Sequence, residues 1–185
     1  MRYAYFIRRL AIIMRHDIFS TPVWHLEGTP QELVDELYQG AYRCKERWPS
    51  ENRSNQGGYH SPALDWEEFH PQGIKYIEKI LNDIHGKFKG KVEVKGWWYN
   101  INPKGAWNKP HIHPHSDLAL VWYITDSDGL LHLMNPFLQR RNSNNVNVTA
   151  KKGDIIIFPA DLPHFVMPNQ NDIDRISLSM NLQLC

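Results

Sequence analysis

The chain has little cysteine and almost no net charge, and these two absences exclude several classes of protein. Its only cysteines among 185 residues are Cys44 and Cys185, which are too few for a disulfide framework and match no zinc motif. The formal net charge is +1 at pH 7, so bulk charge gives no reason to expect a nucleic-acid or membrane-surface partner. We therefore expect a protein of a reducing, cytoplasmic compartment, with no nucleic-acid or membrane partner.

Long apolar runs are also missing. In residues 1–14, Arg8 and Arg9 interrupt the apolar residues, so the run is shorter than the roughly 7 to 15 residues of a secretory signal and the about 20 of a membrane span. We expect this segment to be a dispensable extension, with Met14 as a natural start. The chain shows no internal repeat or linker, and its length predicts a single domain over residues 1–185.

Two helices are predicted in the N-terminal half. The segment Thr29-Pro30-Gln31-Glu32 has the pattern of a capping box with proline at the first helical position, and apolar residues then recur at helical spacing as far as Trp48. A second helix is predicted to start at Pro71, with an apolar stripe that reaches Phe88. Residues 50–63 between them are rich in turn-forming residues and are expected to form a loop.

From residue 92 onward the pattern changes to the period of two that is typical of strands. Residues 17–27 are predicted to form an edge strand or an extended arm, because Pro22 cannot donate to a central ladder. Helices followed by many short strands predict a mainly β fold with N-terminal helices and a jelly-roll, cupin-like core over about residues 92–185. The strands are predicted at 92–100, 110–124, 130–134, 146–149, 153–158, 164–167 and 175–184.

A cluster of metal-ligand residue types lies near the middle of the chain. His111, His113, His115 and Asp117 stand at alternate positions, so their side chains share one face if the segment is extended. His164 follows an apolar run 51 residues after His113, a separation that lets a jelly roll return it beside the cluster. Two or three such ligands with open positions suit a catalytic iron(II).

The last predicted strand has one polar face, formed by alternate residues: Arg175, Ser177, Ser179 and Asn181. If this face lines a cavity, the planar guanidinium of Arg175 matches a carboxylate, and the Ser177 hydroxyl is a further donor beside it. Ten residues separate His164 from Arg175. The pattern therefore indicates a carboxylate-binding pocket near the metal ligands.

These residues resemble the iron(II)- and 2-oxoglutarate-dependent oxygenases, which have a double-stranded β-helix core. Members of that superfamily carry a His-x-Asp/Glu pair and a distal histidine for iron, and often an Arg-x-Ser after the distal histidine for the cosubstrate. More narrowly, the chain is similar to a family of small 2-oxoglutarate/iron(II) oxygenases of bacterial and phage genomes. The similarity rests on the segments 19–24, 54–59, 111–114, 121–124, 158–164 and 175–181.

The resemblance implies that His111, His113 and His164 ligate the iron. The sequence departs from the usual His-x-Asp pair, because three overlapping frames are present and only the last ends in a carboxylate, Asp117. His115 and Asp117 therefore remain alternative ligands. Imidazole in place of a carboxylate leaves the charge of the metal uncompensated, which would change its redox potential and its binding of an anionic cosubstrate.

For the cosubstrate, the resemblance implies that 2-oxoglutarate binds Arg175 and Ser177, with Tyr123 and Asn100 as further candidate donors. The implied reaction uses oxygen to hydroxylate an unidentified prime substrate and releases succinate and carbon dioxide. Two alternatives stay open. One is a three-histidine, cupin-like dioxygenase that does not use 2-oxoglutarate, and the other is a non-catalytic jelly roll that binds a metal or a small molecule.

Overall fold

The computed structural model describes residues 20–65, 71–85, 91–126, 131–135 and 145–185. It contains helices α1 (Gln31–Arg47) and α2 (Pro71–His85). The strands are β1 (Trp24–Leu26), β2 (Asn55–Gln56), β3 (Tyr59–His60), β4 (Val92–Asn102), β5 (Trp107–His111), β6 (Leu118–Tyr123), β7 (Leu131–Leu133), β8 (Val146–Val148), β9 (Ile155–Pro159), β10 (His164–Val166) and β11 (Arg175–Leu184). The N-terminal extension at 1–14 and the end of the second helical stripe at Phe88 lie outside the described residues.

The strands form two antiparallel sheets, as expected for a jelly roll. The larger sheet has the order β1-β9-β6-β11-β4-β3, and the smaller sheet has the order β2-β5-β10-β7-β8. From β4 to β11 the chain passes back and forth between the two sheets, and only β7 and β8 follow each other in the same sheet, which is the double-stranded β-helix arrangement. The predicted mainly β fold with N-terminal helices is confirmed, and β1, which begins two residues after Pro22, lies at an edge of the larger sheet.

Both helices belong to the layer that covers the outer face of the larger sheet. Their apolar residues, such as Leu37 and Ile77, join one buried cluster with the outward-facing residues of the central strands. On β11 these are the even-numbered residues, among them Ile176 and Leu178, each with 0% exposure. The odd-numbered residues of β11 consequently face the space between the sheets, because strand side chains alternate. No described helix is long and apolar enough to cross a membrane.

Two local predictions in the N-terminal half are wrong. The capping box does not form, because α1 begins after Pro30 without a side-chain cap and the Thr29 hydroxyl donates instead to the carbonyl of Gly153 in the connection from β8 to β9. Segment 50–63 is not only a loop, since it contains β2 and β3. These two short strands pair with β5 and β4, so the segment joins the smaller sheet to the larger one.

Candidate metal centre and cosubstrate pocket

Three of the predicted ligand histidines converge at one end of the space between the sheets. His164 opens β10 and is paired in register with His111 at the end of β5. His113 follows two residues later, and its backbone N–H donates to the carbonyl of Ala160 at 2.8 Å. The possible ligand atoms of the three imidazoles all lie within 4.8 Å of one another, and the Nε2 atoms of His113 and His164 are 3.2 Å apart. This spacing allows one ion to be shared.

Backbone carbonyls orient two of these rings toward such an ion. The Nδ1 of His111 is 2.8 Å from the Lys109 carbonyl, and the Nδ1 of His164 is 2.9 Å from the Leu162 carbonyl. A carbonyl oxygen can only accept, so in both rings Nδ1 carries the proton and Nε2 keeps its lone pair. Metal-bound histidines are usually fixed in this way through their second nitrogen.

Burial keeps the three imidazoles neutral at physiological pH. Removal from water, reinforced by the neighbouring His111, lowers the pKa of His164 to about 3 and that of His113 to about 4. Burial also lowers the pKa of His111. The neutral imidazole is the form that ligates a metal, so tautomer, charge and spacing all fit an ion such as iron(II).

The expectation that residues 111, 113, 115 and 117 share one strand face is wrong. The predicted strand 110–124 is two strands, because the chain turns between His111 and Leu118, with His115 at φ 68°. The Asp117 carboxylate accepts hydrogen bonds from the Leu184 backbone N–H (2.7 Å) and the Gln183 side chain, at the end of β11. Among the described residues, neither His115 nor Asp117 joins the histidine cluster.

A pocket extends from the three histidines into the space between the sheets. Its empty volume is about 510 Å³, including the part that is open to solvent. All four residues predicted for the cosubstrate line this pocket: Asn100, Tyr123, Arg175 and Ser177. The register places them together, since Ser177 lies opposite Asn100 on one neighbouring strand and opposite Tyr123 on the other.

Arg175 is only 4% exposed, and backbone carbonyls hold its guanidinium. Its Nη1 donates to the Met167 carbonyl at 2.9 Å, and its Nη2 to the Ala106 carbonyl at 3.5 Å. The loop that carries Met167 and the loop that carries Ala106 are tied to each other, because the Asn169 N–H donates to Ala106 and the Gly105 N–H donates to Asn169. The pocket thus contains a cation that is fixed in position. The guanidinium stays positively charged at any physiological pH.

Asn100 and Tyr123 add neutral polar groups to the pocket. The Asn100 side-chain amide donates to the Ser179 hydroxyl at 3.2 Å, while its Oδ1 has no hydrogen-bond partner among the described residues. Tyr123 is 3% exposed, and burial raises the pKa of its hydroxyl, which therefore stays protonated and can donate. A ligand in this pocket can meet both donors and acceptors.

Sequence reasoning missed several pocket residues, among them Trp98. The Trp98 ring lies between two imidazoles, with centroids 5.5 Å from His60 and 5.6 Å from His113, and it forms part of the pocket wall. A signal was present, because Trp98, Asn100 and Asn102 alternate on β4 and pair with the polar positions of β11. Further lining residues not predicted are Ser54, Asn108, Val121, Leu131 and Val166.

A jelly roll with three converging imidazoles beside a pocket that contains a buried arginine has the features of a metal-dependent oxygenase that takes a carboxylate cosubstrate. Residues 96–181 match the model of a family described as "Putative 2OG-Fe(II) oxygenase". This match confirms the resemblance seen in the sequence, and with the three-histidine cluster it indicates the function of an iron(II)- and 2-oxoglutarate-dependent oxygenase. The dioxygenase that does not use 2-oxoglutarate is not favoured.

Solved structures support the fold. A prolyl-4-hydroxylase from Pseudomonas putida matches with a TM-score of 0.70 and 16% identity, covering 90% of this chain and 94% of that one. The viral collagen prolyl hydroxylase of Paramecium bursaria Chlorella virus-1 matches with a TM-score of 0.65 and 14% identity, over 88% and 96% of the two chains. HygX from Streptomyces hygroscopicus, solved with nickel and 2-oxoglutarate bound, matches with a TM-score of 0.65 and 10% identity, over 89% and 83%. No curated protein sequence matches this chain.

Proposed function

We propose that His111, His113 and His164 hold the iron(II) of this oxygenase through their Nε2 atoms. The observation that carries the proposal is the convergence of these three neutral imidazoles, with two Nε2 atoms 3.2 Å apart and two Nδ1 atoms engaged with carbonyls. Iron(II) bound there supplies the redox chemistry that couples oxidative decarboxylation of 2-oxoglutarate by oxygen to hydroxylation of the prime substrate. Three protein ligands leave open positions for the reactants.

We assign the far carboxylate of 2-oxoglutarate to Arg175 and Ser177. The guanidinium is buried and held by two carbonyls, so it loses little side-chain entropy when it binds an anion. The Ser177 hydroxyl lies on the same face of β11, between Asn100 and Tyr123 in the sheet. In this assignment the Tyr123 hydroxyl and the Asn100 amide orient the cosubstrate between the arginine and the histidines.

The proposal also covers the domain organisation, the location and the partners of the protein. We propose a single domain over residues 1–185 with its jelly-roll core at about 92–185, acting in the cytoplasm on an unidentified prime substrate, without a nucleic-acid or membrane partner. The low cysteine content supports a reducing compartment, and both cysteines are free thiols in the structure. The near-zero net charge argues against recruitment of partners through bulk charge.

Calorimetry on the oxygen-free protein tests the assignment of the site. The iron(II)-loaded protein should bind 2-oxoglutarate, and Arg175→Ala should weaken that binding about 10- to 100-fold, the range of a lost charge-assisted hydrogen bond. Metal affinity should remain unchanged. Arg43→Ala, which removes an exposed arginine of α1, is the matched control. Absence of 2-oxoglutarate binding to the wild-type protein, or equal binding by Arg175→Ala, would contradict the assignment.

Oxygen consumption and succinate release separate the remaining alternatives. The proposed enzyme releases succinate from 2-oxoglutarate only when iron and oxygen are both present. A jelly roll that only binds a metal or small molecule would release none, and a dioxygenase of another type would consume oxygen without any dependence on 2-oxoglutarate. His164→Ala should abolish succinate release together with metal binding.

A further inference from the structure

Among the residues that the structure describes, no acidic side chain lines the pocket to balance the charge of a bound metal. The three candidate ligands are imidazoles, which are neutral when they coordinate an ion. Among the described residues that line the pocket there is no aspartate or glutamate. The carboxylates nearest in sequence to the ligands, Asp117 and Asp161, are both exposed, and that of Asp117 accepts hydrogen bonds from the Leu184 N–H and the Gln183 side chain at the end of β11.

A charge count shows what is missing when the cofactors are in place. Iron(II) brings two positive charges. 2-Oxoglutarate has two carboxylates, and the proposed function pairs one of them with Arg175, so a single carboxylate faces the metal. The three imidazoles add nothing, and buried Tyr123 keeps its proton, because burial favours the neutral hydroxyl. The centre therefore retains one positive charge in a partly enclosed space, where charges are screened less than in water.

We propose that the prime substrate carries a negatively charged oxyanion group, a carboxylate or a phosphate, which lies beside the metal and neutralises this charge. The inference rests on the proposed function, since it takes the three histidines as the metal ligands. An anion gains the attraction of the loaded centre, whereas a neutral group of the same shape does not. The pocket also offers uncharged hydrogen-bonding groups to orient such a substrate, including Asn100, Asn102, Asn108 and Ser54.

Titration of the loaded wild-type protein with small probes provides the first test. The protein is loaded with cobalt(II) and saturating 2-oxoglutarate without oxygen, and then titrated with acetate, inorganic phosphate or acetamide. The visible absorption of cobalt and the heat of binding are recorded. Acetate or phosphate should bind at least about tenfold more tightly than acetamide, which has the shape of acetate but no charge. The oxyanion that binds more tightly of the two identifies the group carried by the substrate. Equal binding of acetate and acetamide, no oxyanion binding, or displacement of 2-oxoglutarate by the anions would overturn the inference.

The variant His113→Asp places a carboxylate at the centre and provides the second test. Oxyanion affinity of the cobalt- and 2-oxoglutarate-loaded variant should fall about tenfold or more, because one negative charge is already present. Lys75→Gln, which changes the charge by the same amount on the exposed side of α2, should leave oxyanion affinity unchanged. Unchanged oxyanion affinity in His113→Asp would also overturn the inference. If this variant does not bind cobalt, the comparison of acetate with acetamide on the wild-type protein decides.

The two levels of the hypothesis fail in different ways. Failure of the wild-type protein to bind cobalt or 2-oxoglutarate would contradict the proposed function itself. Normal loading of both, followed by no preference for oxyanions over acetamide, would contradict only the proposed substrate class.

Discussion

The buried histidines should make the metal-free protein less stable in mildly acidic solution. An unfolded histidine titrates near pH 6.5, whereas burial lowers the pKa of His113 to about 4 and that of His164 to about 3. Between these values the unfolded chain binds more protons than the folded chain, so the free energy of unfolding falls as the pH falls. The stability contributed by these residues is complete above about pH 7 and is lost progressively down to about pH 4 for His113 and about pH 3 for His164.

The expected loss is large enough to measure. A pH of 5 is above the folded pKa of both histidines but about 1.5 units below their unfolded pKa. Relative to pH 7, each histidine therefore lowers the free energy of unfolding by about 2 kcal/mol. Burial lowers the pKa of His60 and His111 as well, so they act in the same direction. Glu93, whose pKa is lowered by Lys91, remains charged over this range and does not interfere.

Urea denaturation of the metal-free protein at pH 7 and pH 5 measures this effect. The unfolding free energy should be several kcal/mol lower at pH 5, and His164→Asn, which cannot titrate, should lose about 2 kcal/mol less than the wild type over the same interval. Equal stability at the two pH values, or a wild type that is more stable at pH 5, would refute the argument that these imidazoles are buried in the neutral form.

Two further predictions concern the faces of the strands. Leu178→Ala, on the helix-covered face of β11, should destabilise the protein by about 2 to 5 kcal/mol. The neighbouring Ser177→Ala should change stability by less than about 0.5 kcal/mol but should weaken 2-oxoglutarate binding. Denaturation measures the two stabilities, and calorimetry measures the binding. The reverse order of the two stabilities would contradict the assigned faces. Gly58→Ala should cost about 1 to 3 kcal/mol, because its new Cβ would overlap the Asn102 side-chain oxygen and lie 3.0 Å from a backbone carbonyl. Gly96→Ala is the matched control, since nothing lies within 4 Å of its Cβ position, and thermal melting of both variants checks the difference.

The periodic parts of the sequence predicted most of the fold. Helix α1 and strand β11 appear in the structure almost at their predicted bounds, and α2 begins at its predicted residue, because one face of each element must be buried. The prediction was wrong where a distant hydrogen-bond partner replaces the local one. The Thr29 hydroxyl was expected to cap a helix, but it bonds the Gly153 carbonyl, which is 124 residues away in the chain. No local pattern contains that partner.

The candidate site, too, was predicted from the sequence only in part. The sequence by itself determined the residue types and their spacing, with ten residues between His164 and Arg175. It also determined that the polar side chains of β11 share one face, because strand geometry places alternate residues on the same side. Only the tertiary structure decided which histidines of the 111–117 segment meet His164. The chain turns after His111, with His115 at a positive φ, and Asp117 bonds to the end of β11. A turn of this kind depends on contacts with distant strands, so a period of two could not predict it.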